Sequence, residues 1–313
     1  MNGAGDTVTG VAGRCTLCAE PPVIRLREPE RYLCAAHLIA EVEERAARTI
    51  RERGLVRPHD RIAVALSGGK DSTALLVILS RLLPAWEDVS LVAITVDEGI
   101  AGYREDTIRA AVELTAKLGT EHVCVSFTDL IGNDLDTLLA GRETQACSVC
   151  GILRRKALSA ASHKAGATKI ATGHNLDDEA QSVLMNTLRG DLPRLVRTSD
   201  ADSSGCFIPR IKPLADIAEK EIAAYLFVQD MFPFLPECPY IRHALRAEVR
   251  SLLSAMEQKH PGTMRNLMNS KRVIEKQLGR RALSEPLRRC RQCGDPCSGE
   301  LCQVCLLRRS LGK

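Results

Sequence analysis

Arg61-Ile-Ala-Val-Ala-Leu66, Ser67-Gly68-Gly69-Lys70-Asp71-Ser72 and Thr73-Ala-Leu-Leu-Val-Ile-Leu79 follow one another without a break. The first run is short, apolar and closed by a turn signal, as a buried strand is, and the third has the composition of a helix. Between them, adjacent glycines let the backbone turn tightly and bring N–H groups close to an anion. The helix points the partial positive charge of its N-terminus at the same spot. Lys70 adds a full charge, and Ser67 and Ser72 add hydroxyls. Strand, glycine turn and helix in this order predict a phosphate cradle. The two glycines touch, which excludes the Walker A spacing.

Outward from the cradle the chain alternates. Strand-like runs are Arg61–Leu66, Val89–Val96, His122–Phe127 and Thr168–Thr172, with helix-type segments between them, notably Arg104–Leu118 and Ile152–Ala165. Each strand then needs a crossover, so the fold class is α/β with a doubly wound parallel sheet. Ligands of such sheets sit at the carboxyl ends of the strands, where the phosphate loop, Asp97-Glu98-Gly99 and Gly173-His174-Asn175 should converge. In Thr172-Gly-His-Asn-Leu-Asp-Asp-Glu-Ala-Gln181, Asn175 or Asp177 caps a helix running to about Leu188. The same stretch offers Asp178 for Mg²⁺ or proton transfer and Gly173 for close approach of a nucleotide.

The thirteen cysteines sort by spacing into three groups. Cys15-Thr-Leu-Cys18 is followed by Cys34-Ala-Ala-His37, and Cys290-Arg-Gln-Cys293 by Cys302-Gln-Val-Cys305. A CxxC knuckle presents two thiolates from one tight turn, and a paired set closes a loop too small to fold alone. Each set therefore reads as a structural Zn²⁺ site. Cys297 falls inside the second finger with odd spacing and reads as a spectator. The third group is one ligand short. Cys147-Ser-Val-Cys150 opens the helix Gly151-Ile-Leu-Arg-Arg-Lys-Ala-Leu158, and its distant partners are Cys124, Cys206 or Cys238. Cys238 sits in the rigid loop Pro236-Glu-Cys-Pro-Tyr240, whereas Cys124, on the alternating run Glu121–Phe127, reads as a packed strand residue. A 4Fe-4S cluster with one iron free of cysteine, a zinc site, and a dithiol carrying sulfur as persulfide and disulfide all satisfy this pattern. The residues alone do not choose among them.

At 313 residues the chain exceeds the size at which single cores stop growing, so a central domain with appended pieces is expected. Aromatic residues are only 3%, which leaves the core to Leu, Val, Ile and Ala. Nothing reads as a membrane span or an export signal, and the first residues, Met1 to Gly10, are expected to fray. With that background, the cysteines point to metals rather than disulfides, and the cytoplasm is the expected compartment. The formal net charge is +4, yet residues 271–313 alone carry eleven Lys or Arg against four Asp or Glu. Lys271, Arg272, Arg280, Arg281, Arg288, Arg289, Arg291, Arg308 and Arg309 could track a phosphate backbone.

The loop Ser67–Ser72, Cys147-Ser-Val-Cys150-Gly151, Gly173-His-Asn-Leu-Asp-Asp178, Pro209-Arg-Ile-Lys-Pro-Leu214, Glu237-Cys-Pro-Tyr240 and the two terminal Cys sets together resemble the tRNA 2-thiouridine synthetases, whose phosphate loop is that of the ATP pyrophosphatases. The resemblance runs from about residue 15 to 306. It implies a flexible 1–14, an N-terminal zinc finger at 15–40, a catalytic domain at 41–240, a helical tRNA-binding extension at 241–283 and a C-terminal zinc finger at 284–313. It also implies an oxygen-sensitive 4Fe-4S cluster on Cys147, Cys150 and Cys238. ATP is implied against Ala65, Ser67, Lys70, Ser72, Ile94, Arg154 and Gly173, with Gly68, Gly69 and Asp71 completing the cradle. One branch of the family carries lysine where this chain has Arg154.

The implied reaction is ATP-dependent adenylation of a uridine C2 oxygen in tRNA, with Lys70 stabilising the departing pyrophosphate and Asp178 assisting. Sulfur then replaces AMP, from sulfide on the cluster or a persulfide on Cys147 or Cys150. The sulfur donor is a ubiquitin-like thiocarboxylate carrier or free sulfide, the target is the wobble or a T-loop uridine, and a homodimer is implied. The segment Arg197 to Cys206, rich in Ser and Asp, is expected to be a loop that orders on tRNA. Two other readings exist. The tRNA 2-thiocytidine synthetases share the loop and the central Cys pair but are not expected to carry terminal fingers. A non-catalytic zinc-ribbon RNA-binding protein would have no need of Lys70, Asp71 and Asp178 together.

Overall fold

Residues 13–196, 207–234, 238–240, 245–278 and 288–310 are described by the computed structural model. The expected fraying start, the loop from Arg197 to Cys206, and Pro236, Glu237, Arg280 and Arg281 lie outside the described residues. A short antiparallel hairpin, β1 (Ile24–Arg27) and β2 (Glu30–Leu33), leads into α1 (Ala35–Glu52). Leu38, Val42, Ala46 and Ile50 recur every four residues along α1 and are at most 1% exposed, so one stripe of the helix faces the core. Burying the larger three contributes on the order of 1.5–3 kcal/mol apiece. α1 runs without a break across residue 40.

The central unit comprises β3 (Arg61–Ala65), α2 (Lys70–Leu82), β4 (Ser90–Asp97), α3 (Arg104–Leu118), β5 (Glu121–Ser126), α4 (Phe127–Ile131), α5 (Leu135–Leu139), α6 (Ala146–Lys164), β6 (Lys169–Ala171), α7 (Leu176–Leu188), α8 (Leu192–Val196), β7 (Arg210–Ile211) and α9 (Glu219–Phe227). Its sheet has the order β5-β4-β3-β6-β7, and every pairing is parallel. The chain winds outward from β3 to β5, then returns to the other side of β3 with β6. The crevice at that reversal lies beyond the carboxyl ends of β3 and β6. Side chains alternate across the sheet: Ile62 and Val64 join the core shared with α1, α2 and α9, while Ala63, Val92 and Ile94 join the core shared with α6. α2 is buried on several faces, from Ala74 to Leu79, because the sheet, α1 and α9 enclose it.

After α9 come α10 (Leu245–Lys259) and α11 (Thr263–Leu278), which pack with α7 and α8 around Val183, Val249, Leu253, Met264 and Met268. The chain closes with the two-residue strands β8 (Arg288–Arg289) and β9 (Pro296–Cys297), then α12 (Gln303–Ser310), which packs on α6. No helix among the described residues is long and apolar enough to cross a membrane.

The structure departs from the sequence expectations in particular places. β7 was not anticipated, and at two residues it is too short to carry a period-two signal. α6 begins at Ala146, not Gly151, so both thiols of the central CxxC sit on the helix itself. Likewise Lys70, Asp71 and Ser72 form the first turn of α2 and are not part of the preceding turn. Cys124 lies on β5 as expected, but it is exposed and not packed, because β5 is an edge strand.

Arg45 of α1 and Glu221 of α9 form a buried ion pair at 2.5 Å, with side chains 5% and 4% exposed. Arg45 also donates to the Asp216 carbonyl. Replacing one partner leaves a buried charge uncompensated. Glu221→Ala should therefore destabilise the fold by about 3–5 kcal/mol, read by urea denaturation; a cost below about 1 kcal/mol would show that α1 is not held this way.

Candidate functional site

The phosphate loop leaves β3 with Leu66 N–H donating to the Ile94 carbonyl at 2.9 Å. Ser67 N–H donates to Ser72 Oγ at 3.1 Å, and Ser72 Oγ–H donates to the Gly69 carbonyl at 2.9 Å, so the loop is folded onto the first turn of α2. Gly68 has φ +87°, and a Cβ there would lie 2.3 Å from the Thr107 carbonyl oxygen, so glycine is required twice over. Gly69 is the N-cap of α2 and brings no capping side chain. The first-turn N–H groups therefore face the crevice without a side-chain acceptor, as an anion site requires.

Lys70 Nζ stands 2.9 Å from Asp71 Oδ2 and 2.7 Å from Glu219 Oε1. Burial works to lower the ammonium's pKa, but the two carboxylates outweigh it and hold it above its usual value. Glu219 is shared with Arg250 of α10 at 2.6 Å. The other wall of the crevice is Gly173, where a Cβ would sit 2.9 Å from the Asp71 carbonyl carbon and oxygen. Gly173 thus admits the backbone of α2. Asn175, which caps α7, donates through Nδ2 to Asp71 Oδ1 at 3.0 Å. Asp178 completes the capping box by accepting from Asn175 N–H at 3.3 Å, and its other oxygen is 3.9 Å from Arg246. Among the expected nucleotide contacts, Ala65 pairs in register with Ile94 across β3 and β4, and Ile94 is buried in the core.

Beside the loop lies a chain of charges. Arg104 is 3% exposed and donates to the Ser67 carbonyl at 3.0 Å, the Val96 carbonyl at 2.5 Å and Thr107 Oγ1 at 2.8 Å. Glu98, 2% exposed, pairs with Arg104 Nε at 2.7 Å and Arg154 Nε at 2.6 Å. Arg154 in turn donates through Nη2 to Cys150 Sγ at 3.3 Å. Arg104, Glu219, Arg246 and Arg250 are site residues that the sequence reading missed. Their partners are distant along the chain, so no local pattern marks them.

Cys147 is exposed and Cys150 buried in the first turns of α6. Cys238 packs with Tyr240 against the core cluster that contains Cys150. Cys147 Sγ donates to the Tyr240 carbonyl at 3.6 Å, and Tyr240 Oη donates to Asp136 at 2.8 Å, which fastens the Cys238 segment beside α6. Burial pushes the Cys150 thiol up to about 11, against the pull of Arg154, and it raises Cys238 too. Among the described residues, all the ligand atoms of just two sets come within 4.8 Å of one another: Cys15, Cys18, Cys34 and His37, and Cys290, Cys293, Cys302 and Cys305. Cys147, Cys150 and Cys238 do not form a third such set. Thiolates on a single tetrahedral zinc are separated by about 3.8 Å, given Zn–S of about 2.3 Å, so this trio is too open for one ion.

The terminal sets have single-ion dimensions. His37 Nδ1 lies 3.4, 3.5 and 3.2 Å from the sulfurs of Cys15, Cys18 and Cys34. In the second set, Cys293 and Cys302 are 3.5 Å apart, and Cys302 N–H donates to Cys290 Sγ at 3.3 Å. Desolvation raises the Cys290 thiol, but backbone N–H donors outweigh it and leave it at about 6, which favours the thiolate. Cys297 stands outside the set, its thiol on the Gly299 carbonyl at 3.1 Å.

The PP-loop domain family matches residues 38–254. The chain is 36% identical to the tRNA 2-thiolation protein NcsA of Haloferax volcanii, over 95% of this chain and 98% of that protein. It is 30% identical to the tRNA-5-methyluridine(54) 2-sulfurtransferase of Pyrococcus horikoshii, over 93% and 92% respectively. The solved U34-tRNA thiolase NcsA from Methanococcus maripaludis, described with its 4Fe-4S cluster, superposes with a TM-score of 0.82 at 31% identity, covering 98% of both chains.

Gly173→Ala should cost about 1–3 kcal/mol in urea denaturation, because its Cβ cannot avoid backbone atoms. Gly69→Ala, whose nearest neighbour would be Ser67 Oγ at 3.6 Å, should cost far less. Equal costs would refute the close approach as the reason for Gly173.

Proposed function

The chain belongs to the PP-loop tRNA-thiolation family, and from that premise we propose that it is an ATP-dependent sulfurtransferase that replaces the C2 oxygen of a tRNA uridine with sulfur. The observation that carries the reading is the meeting, at one sheet edge, of the uncapped first turn of α2 bearing Lys70 with the thiol-bearing first turns of α6. ATP places its phosphates on Ser67–Ser72, with Ala65, Ile94, Arg154 and Gly173 around the nucleotide. Lys70 exchanges Asp71 and Glu219 for phosphate oxygens, and Glu219 keeps Arg250 as its partner. The uridine C2 oxygen then bonds to the α-phosphorus, the bond to the β-phosphate oxygen breaks, and pyrophosphate leaves against Lys70 and the helix N-terminus. Asp178 would hold Mg²⁺ together with those phosphates.

Cys147, Cys150 and Cys238 would hold the 4Fe-4S cluster, which when bound supplies an iron without a protein ligand as a Lewis-acid position for a sulfur species. Burial of Cys150 beside Arg154 shields that corner from water. Cys15, Cys18, Cys34 and His37, and Cys290, Cys293, Cys302 and Cys305, each hold a structural Zn²⁺. tRNA lies along the basic C-terminal segment, which includes Arg288, Arg289, Arg308 and Arg309. α12 packs on α6, the helix that carries Cys147 and Cys150.

Anaerobic purification with metal analysis, followed by mass spectrometry of tRNA nucleosides, tests the proposal. About four irons and two zincs per chain are expected, with the iron lost and the zinc kept in Cys238→Ala. About three zincs without iron would overturn the cluster assignment. Lys70→Gln should lower 2-thiouridine formation by about a hundredfold or more, through lost stabilisation of the departing pyrophosphate. Thiocytidine in place of thiouridine, or an undiminished Lys70→Gln, would overturn the reaction assigned.

A further inference from the structure

We propose that Glu98 is a positioning residue whose buried carboxylate sets Arg154 against the Cys150 sulfur and so fixes the thiol-bearing turn of α6 relative to the phosphate loop. Glu98 is 2% exposed and offers no surface to a substrate. Its own place is fixed twice: its carbonyl accepts from Leu135 N–H at 2.8 Å, and its side chain meets Arg104 at 2.7 Å. Arg104 cannot swing away, because its terminal nitrogens are committed to Ser67, Val96 and Thr107. Arg154 is different. Its side chain is 50% exposed, and a long side chain in that setting has many rotamers open to it. The 2.6 Å pair with Glu98 Oε1 selects the rotamer that places Nη2 on Cys150 at 3.3 Å. An unbroken series of contacts therefore runs from the Ser67 carbonyl through Arg104, Glu98 and Arg154 to the sulfur. It joins the place where pyrophosphate departs to the place where sulfur is held.

The inference rests on the sulfurtransferase reading for its kinetic consequence alone; the contact itself is tested without ATP, tRNA or metal. In the metal-free protein, the rate of Cys150 alkylation by iodoacetamide is read by peptide mass spectrometry, with Cys147 as the internal reference. Arg154→Met and Glu98→Gln should each change the Cys150 to Cys147 ratio in the same direction by about threefold or more, and the double variant no further, because residues acting through one contact are not additive. In thiolation assays at saturating ATP, Glu98→Gln should lower kcat about tenfold while KM for tRNA stays within about threefold, the signature of an interaction realised in the transition state. A Glu98→Gln ratio equal to wild type, or effects that add in the double variant, would overturn the proposal. If Glu98→Gln does not fold by circular dichroism, Glu98→Asp, which keeps the charge beside Arg104 and withdraws from Arg154, is read against the same outcomes. A wild-type protein that thiolates no tRNA would refute the reaction and leave the alkylation result standing.

Discussion

The first turn of α2 rests on the backbone of Gly173 at a separation that leaves no room for a side chain, and the site is arranged around that contact. It brings the ends of β3 and β6 together on either side of the sheet's reversal. Once they meet, Asn175 reaches Asp71, caps α7 and shares a reciprocal capping box with Asp178. A single close approach of two backbones thus orients two helix N-termini. Of the two, α7 is closed by its capping box, whereas α2 has no capping side chain and keeps its first-turn N–H groups for an anion.

Charge in this crevice is paired before any substrate arrives. Lys70 sits between Asp71 and Glu219, Glu219 also holds Arg250, and Glu98 lies between Arg104 and Arg154. Buried or half-buried ions are tolerated on these terms. The two groups differ in what they leave free. Lys70, at the mouth, can trade carboxylates for phosphate, whereas Arg104 is locked to backbone carbonyls and serves as a strut.

The strand, glycine loop and helix at residues 61–82 were legible because local chemistry dictates each part: an apolar run, adjacent glycines, and a helix without a capping side chain. The gathering of the two terminal Cys and Cys/His sets was legible for the same reason, since short spacings along the chain bring their ligand atoms together. What the sequence hid was set by partners far along it. The start of α6 at Ala146 escaped notice because its N-cap, Gln145, makes no side-chain cap and gives no boundary signal. Cys124 alternates with apolar residues as a packed strand position would, but β5 has no neighbour on one side. Arg104 and Glu219 look like surface charges until the fold encloses one and brings Lys70 to the other.

α1 starts at a metal-ligand set and ends at an ion pair. Cys34 is its N-cap and His37 lies in its first turn, while Arg45 and Thr49 in its second half reach Asp216 and Glu221 beside α9. The finger therefore has no seam where it could be detached. A gene rearrangement that exchanged the N-terminal cysteines as a cassette would have to cut through a helix of the nucleotide domain. Such a cut would open a helix whose stripe of Leu38, Val42, Ala46 and Ile50 belongs to the core.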